Sequence, residues 1–235
     1  MISAVLFDKD GTLFDFNKTW SAWAVSFLLK IADGDQILAK KLGAIIGFNF
    51  ENRHFSEDSV VIAGTPKDIT DALRPFFSAT KLKRIYNLIN QSANNTAQVE
   101  AVPLVPLLDS LKERGLVLGV ATNDSEQSAY SHLSLAGILN RFSFIAGYDS
   151  GFGFKPHPEQ LLAFCNEVNI FPNAAIMVGD STFDLIAGRN AGMKTVGVLT
   201  GMADTDTLKP YADVILPDIG GIPDWIDLCN AGVQA

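Results

Sequence analysis

Two cysteines among 235 residues, Cys165 and Cys229, stand far apart, which excludes a disulfide scaffold and leaves no structural zinc pattern. Both read as packing residues. Histidine is almost as scarce: His54, His132 and His157 show no metal-ligand spacing and read as surface or local structural residues. Positive charge is short as well, with 18 Lys plus Arg against 26 Asp plus Glu and a net charge of -8. That balance argues against nucleic acid and anionic membrane as partners, while local charge can still favour a small phosphorylated metabolite. No apolar run reaches membrane-spanning length. The apolar start of the chain is short and runs straight into acids, unlike a signal peptide. The cytoplasm is therefore the expected location. What is abundant is apolar residue, 48%, too much for disorder and enough for one large domain or a core plus a smaller one.

The pattern of those apolar residues changes along the chain. Ile2 to Phe7 reads as a buried strand, since strands of a parallel sheet are commonly apolar throughout. Residues 15–95 read as mainly helical, with no convincing strand; Trp20, Trp23, Ala24, Phe27, Leu28 and Ile31 recur at helical spacing. Thr65-Pro66 is a helix start, with a hydroxyl cap before proline and Asp68 in the first turn. Ser92 to Thr96 reads as a linker. From about residue 103 strands and helices alternate, with strands at Val117 to Ala121, Phe144 to Ala146, Ala174 to Val178, Thr195 to Val198 and Val214 to Leu216. The expected fold is α/β, a Rossmann-like doubly wound parallel sheet with an inserted α-helical cap domain. The expected divisions are 1–14 (first strand and catalytic loop), 15–95 (cap) and 96–235 (the remaining core).

Chemistry-bearing residues fall just beyond the strands, where open α/β sheets bind ligands. Asp8 and Asp10 close the first strand, spaced i,i+2, before Gly11 and Thr12. A short carboxylate set tightly by the backbone suits Asp8 as a nucleophile on phosphorus, and Asp10 can protonate a leaving oxygen and then activate water. Thr12 offers a hydroxyl and an N–H to order that loop. Thr122 and the backbone N–H of Asn123 can donate to phosphoryl oxygens. Lys155, in a loop shaped by Gly151, Gly153 and Pro156, can neutralise Asp8 and the transferring group. Asp180 suits a hard cation, and Asp184, one turn later, either completes the metal shell or holds Lys155. So many acids around one phosphoryl site repel each other and the substrate, and Mg2+ resolves that conflict.

In that order, Asp8-Lys9-Asp10-Gly11-Thr12, Thr122-Asn123, Lys155 and Gly179-Asp180 with Asp184 resemble the four motifs of the haloacid-dehalogenase-like hydrolase superfamily. The helical insert resembles the cap of its phosphoglycolate-phosphatase-like group. The resemblance implies a phosphorylated Asp8, Asp10 as general acid/base, and magnesium held by the Asp8 carboxylate, the Asp10 carbonyl and Asp180, with Asp184 supporting. Asp10 separates the chain from true dehalogenases, which lack that aspartate, and points to phosphomonoester hydrolysis, with 2-phosphoglycolate as best guess. A phosphosugar mutase is the alternative within the superfamily; a catalytically inactive binding or regulatory protein is the alternative outside enzymes. Asp124 departs from the Thr-Asn-Lys of many phosphoglycolate phosphatases. Lys18, Arg53 and Arg74 are candidate anion contacts in the cap, and Ile62 to Thr65 resembles a cap loop that approaches substrate. The aromatics of the helical block leave a homodimer open.

Overall fold

The computed structural model describes residues 1–56, 58–94 and 96–232. A strand β1 (Ala4–Phe7) leads into helices α1 (Phe16–Ile31) and α2 (Gln36–Ile45), the short strands β2 (Phe48–Asn49) and β3 (His54–Phe55), and helices α3 (Val60–Ala63), α4 (Pro66–Ala72) and α5 (Ala79–Ala93). The rest alternates: α6 (Leu104–Glu113), β4 (Val117–Ala121), α7 (Glu126–Leu135), β5 (Phe144–Ala146), α8 (Glu159–Glu167), β6 (Ala175–Gly179), α9 (Thr182–Ala191), β7 (Lys194–Val198), α10 (Thr205–Leu208), β8 (Val214–Leu216) and α11 (Ile222–Asn230).

Six strands pair in parallel in the order β5-β4-β1-β6-β7-β8. β1 is central and covered on both faces, which is why Ala4, Val5, Leu6 and Phe7 are all apolar and fully buried. Alternate residues serve opposite faces: Val5, Phe7, Val120 and Val178 pack in one core cluster, Ala4, Leu6, Ala121 and Met177 in the other. The chain winds outward from β1 in one direction and then in the other, so strand order reverses between β1 and β6. Phe7 lies level with Val120 and Val178, which brings the residues following β1, β4 and β6 to one edge.

Helices α1 to α5 enclose their own core, centred on Trp20, Phe27, Leu28, Leu42, Phe55 and Leu73. The two connections to this block run side by side: Asp15 donates its N–H to the Val99 carbonyl at 2.8 Å, and Ala101 to that of Leu13 at 3.0 Å. Thr65 caps α4, as its sequence predicts, and Asp68 returns the bond to the Thr65 N–H in a reciprocal pair. Two expectations need correction. The block contains a small antiparallel pair, β2 with β3, too short at two residues each to show an alternating pattern. The expected linker begins as helix, because α5 continues through Ser92 and Ala93, burying Ala93; Asn95 of that stretch lies outside the described residues. No helix among the described residues is long and apolar enough to cross a membrane.

Candidate active site

Asp8 follows β1 directly and donates its N–H to the Val178 carbonyl at 2.8 Å, so the backbone sets its position beside β6. Asp180 follows β6, and Asp184 sits in the first turn of α9. There Asp184 accepts from the Ser181 hydroxyl at 2.6 Å and the Ser181 N–H at 3.0 Å, forming a capping box. Lys155 Nζ joins the end of β1 to the first turn of α9, 2.6 Å from Asp8 Oδ1 and 2.6 Å from Asp184 Oδ1. All four side chains are buried.

Oxygens of Asp8, Asp180 and Asp184 lie within 4.8 Å of one another. Burial is the main force against ionisation here. It raises Asp8, with Asp184 and Asp10 adding repulsion against the pull of Lys155, to a pKa of about 7. Burial and the carboxylates of Asp8 and Asp184 push Asp180 well above the usual range too. Lys155 stays charged: burial opposes its charge, but Asp184 and Asp8 together outweigh that. One lysine therefore leaves this set short of positive charge, and three converging hard oxygen donors fit a small divalent cation.

The backbone makes room for Asp180. A Cβ on Gly201 would sit 1.6 Å from Asp180 Oδ2, and one on Gly11, at φ +83°, would sit 2.3 Å from the same oxygen. Thr12 donates its hydroxyl to Asp180 Oδ1 at 3.4 Å, and Thr200 ties the loop down by donating to the Gly11 carbonyl at 2.6 Å. Gly201 and Thr200 carry no signal in the sequence, since a loop far beyond β6 reaches back to the first turn.

Thr122 is buried at the mouth of β4, and its hydroxyl accepts from the Asp124 N–H at 3.0 Å. The Asn123 side chain clamps the lysine loop: its amide donates to the Lys155 carbonyl and accepts from the Lys155 N–H, both at 2.9 Å. Buried Gln160 donates to the carbonyls of Thr122, Gly147 and Gly153 at 3.3, 2.9 and 3.1 Å, holding the same loop. Asn123→Ala is therefore expected to strip partners from two backbone groups at a buried site, at about 1–3 kcal/mol each. Turnover should fall with it because Lys155 loses its anchor. Denaturant melts together with steady-state kinetics check this; unchanged stability would contradict the clamp.

Asp10 borders the same cavity but is held by partners of its own. Its Oδ1 accepts from Trp20 Nε1 at 2.8 Å and its Oδ2 lies 2.5 Å from Lys9 Nζ. Lys9 is fully buried, 3.2 Å from Asp124 Oδ2 and 3.0 Å from His132 Nδ1. Burial alone would strip its charge, but Asp10 and Asp124 hold it protonated. His132 is pushed down by burial and by Lys9, so the neutral ring accepts from Lys9 and donates Nε2–H to the Ala93 carbonyl at 2.8 Å. This cluster was missed by sequence reasoning. His132, expected to be a surface or local structural residue, is fully buried, and its meeting with Lys9 spans 123 positions. The cluster also explains Asp124, which answers the charge of Lys9. Trp20 and Trp23, whose spacing marks helix core, line the cavity as well.

The cap cations are placed elsewhere. Lys18 pairs with Asp15 at 2.7 Å and Arg74 pairs with Asp71, both lysine and arginine well exposed. Arg53 is exposed in a turn at φ 54°. From the expected cap loop, Ile62 and Gly64 do border the cavity.

Residues 5–198 match the family model described as haloacid dehalogenase-like hydrolase. The chain is 28% identical over 210 residues to the Pyrophosphatase PpaX of Bacillus velezensis, covering 89% of each. A crystal structure of a predicted phosphoglycolate phosphatase from Haemophilus somnus superposes with a TM-score of 0.73 at 23% identity, over 96% of this chain and 98% of that one. A β-phosphoglucomutase from Clostridium difficile gives 0.67 at 21% identity, over 97% and 96%.

Proposed function

Since the chain belongs to the haloacid dehalogenase-like hydrolases and is a phosphatase of that family, we propose that it hydrolyses a small-metabolite phosphomonoester with magnesium through an aspartyl-phosphate on Asp8. One observation carries this reading. Asp8, Lys155 and Asp184 form a buried ion-paired chain beside Asp180, at the point where strand order reverses.

The side chains divide the work. A carboxylate oxygen of Asp8 attacks phosphorus, and the ester oxygen leaves with a proton from Asp10. Asp10, now a base, takes a proton from water as that water attacks the aspartyl-phosphate, releasing phosphate and restoring Asp8. Trp20 and Lys9 hold Asp10 in one orientation for both steps. Lys155 balances the charge of Asp8 and of the phosphoryl oxygens. Thr122 and Asn123 stand at the phosphoryl end, with Thr12 ordering the loop beneath. Asp8, Asp180 and Asp184 would hold magnesium, with the Asp10 carbonyl added by family resemblance. When bound, the ion supplies charge neutralisation and polarises the phosphoryl oxygens. The helical block, residues 15–95, acts as the cap that closes over this edge, and its wall selects the leaving group.

Phosphate release from a panel of phosphomonoesters with magnesium tests this reading. The panel includes 2-phosphoglycolate, which the resemblance suggests, and beside the esters the anhydride pyrophosphate is assayed, named for the relatives. Release from at least one ester is expected, with aspartyl-phosphate trapped by rapid quench. No release from any ester would overturn the proposal. A bisphosphate-dependent isomerisation without net phosphate loss would replace it with the mutase reading.

A further inference from the structure

The reacting end of the cavity is crowded with charge, and the opposite wall has almost none. Five carboxylates border it, those of Asp8, Asp10, Asp124, Asp180 and Asp184, against a single cation among the described residues, Lys155. That lysine is already shared between Asp8 and Asp184. The facing wall is hydrocarbon and aromatic: Phe16, Trp20 and Trp23 from α1, Val61 and Ile62 from α3, and Ile69 from α4. The polar atoms of the two indoles are committed, Trp20 Nε1 to Asp10 and Trp23 Nε1 to Ser92 Oγ, both at 2.8 Å. The groove alongside, about 560 Å³, shares Ile62, Lys155, Asp180 and Phe183 with the cavity. Among the described residues it adds Asp58 and Asp68 rather than a further cation.

Lys9 does not fill the gap. It is fully buried beneath Asp10, Asp124 and His132, outside the cavity lining. A second anionic group on the substrate would therefore stand in a wall that offers no partner. An unpaired buried charge is strongly disfavoured, and nearby like charges add to that. A hydrocarbon group on the same wall loses only water.

Building on the phosphatase reading, we propose that this site selects phosphomonoesters of compact, uncharged, largely apolar alcohols, and discriminates against leaving groups that carry a carboxylate or a second phosphate. The cap wall of Phe16, Trp20, Trp23, Val61, Ile62 and Ile69 is the specificity surface. Lys155, and the divalent cation when bound, would be taken up by the phosphoryl group itself.

The test compares kcat/KM of the magnesium-loaded full chain for propyl phosphate, benzyl phosphate, 2-phosphoglycolate and pyrophosphate. Propyl and benzyl alcohols are poorer leaving groups than phosphate, so a preference for their esters over pyrophosphate reports binding rather than leaving-group ability. The better of the two neutral esters is expected to exceed both anionic substrates by about tenfold or more, chiefly through KM. Ile62→Lys places a cation where the cavity meets the groove, at a partly exposed position that tolerates the longer side chain. It should shift the ratio of 2-phosphoglycolate to benzyl phosphate turnover at least about tenfold toward the acid. Preference of the wild-type protein for 2-phosphoglycolate or pyrophosphate would overturn the specificity inference and leave the phosphatase reading standing. Inertness toward all four and toward p-nitrophenyl phosphate would overturn both.

Discussion

Asp8→Asn is expected to lower turnover by about four orders of magnitude or more while the fold survives. Removing a nucleophile from a constellation that acts as a unit costs nearly all of the chemistry, with little left to the remaining groups. The amide is close in size to the carboxylate and keeps an oxygen that can accept from Lys155 Nζ, which lies 2.6 Å from Asp8 Oδ1. The stability effect should go the other way in metal-free protein. Burial, reinforced by Asp184 and Asp10, raises the Asp8 pKa from 3.8 to about 7. An acid whose folded-state pKa lies above its unfolded value stabilises fully below the unfolded value and loses that contribution as pH rises through the folded one. The window for Asp8 therefore runs from 3.8 to about 7. In the presence of chelator, the melting temperature of Asp8→Asn relative to wild type should climb across that window and level off above it. Kinetics on variant protein free of deamidation, with paired melts from acid to neutral pH, read both effects. Near-wild-type turnover would refute the covalent role, and a flat melting difference would refute the crowded-acid account of the site.

Stripping divalent cations is expected to abolish activity, with magnesium restoring it and calcium restoring it poorly. Asp8, Asp180 and Asp184 converge to within 4.8 Å with one lysine among them. Magnesium takes short, nearly octahedral oxygen ligation, and the looser shell of calcium aligns nucleophile and phosphorus less well. Because Asp8 and Asp180 are both held toward their neutral forms by burial, bound metal should raise the melting temperature most at neutral pH and above, where charge repulsion in the empty site is greatest. Asp180→Ala should weaken magnesium binding, measured by calorimetry, and reduce turnover even at saturating metal. Salt cannot substitute, since screening does not position groups. Full activity after exhaustive chelation, or Asp180→Ala kinetics matching wild type at limiting magnesium, would sink the metal assignment.

The sequence by itself determined the frame of this protein. Fully apolar β1, the alternation of strands and helices after residue 103 and the polar residues just past strand ends sufficed for a doubly wound parallel sheet with Asp8, Thr122 and Asp180 at one edge. These signals are local: a strand two neighbours deep must be apolar, and a carboxylate beyond its end has few structural reasons to be there. The clamp of Asn123 on Lys155 was not legible, because Asn after a strand reads equally as a turn residue, and only the returning loop gives its amide a partner. Nor were Gly201 and Thr200, which matter solely because their loop folds back on Gly11 and Asp180. Tertiary structure alone decided the two charge balances of the site. It buried Lys9 against Asp10, Asp124 and His132, giving the Asp124 that departs from the family pattern a buried cation as its partner. It also turned Lys18 and Arg74 outward to surface carboxylates and left an apolar wall facing the phosphoryl site. Electrostatics depends on distance and burial, and neither is written in the order of residues along a chain.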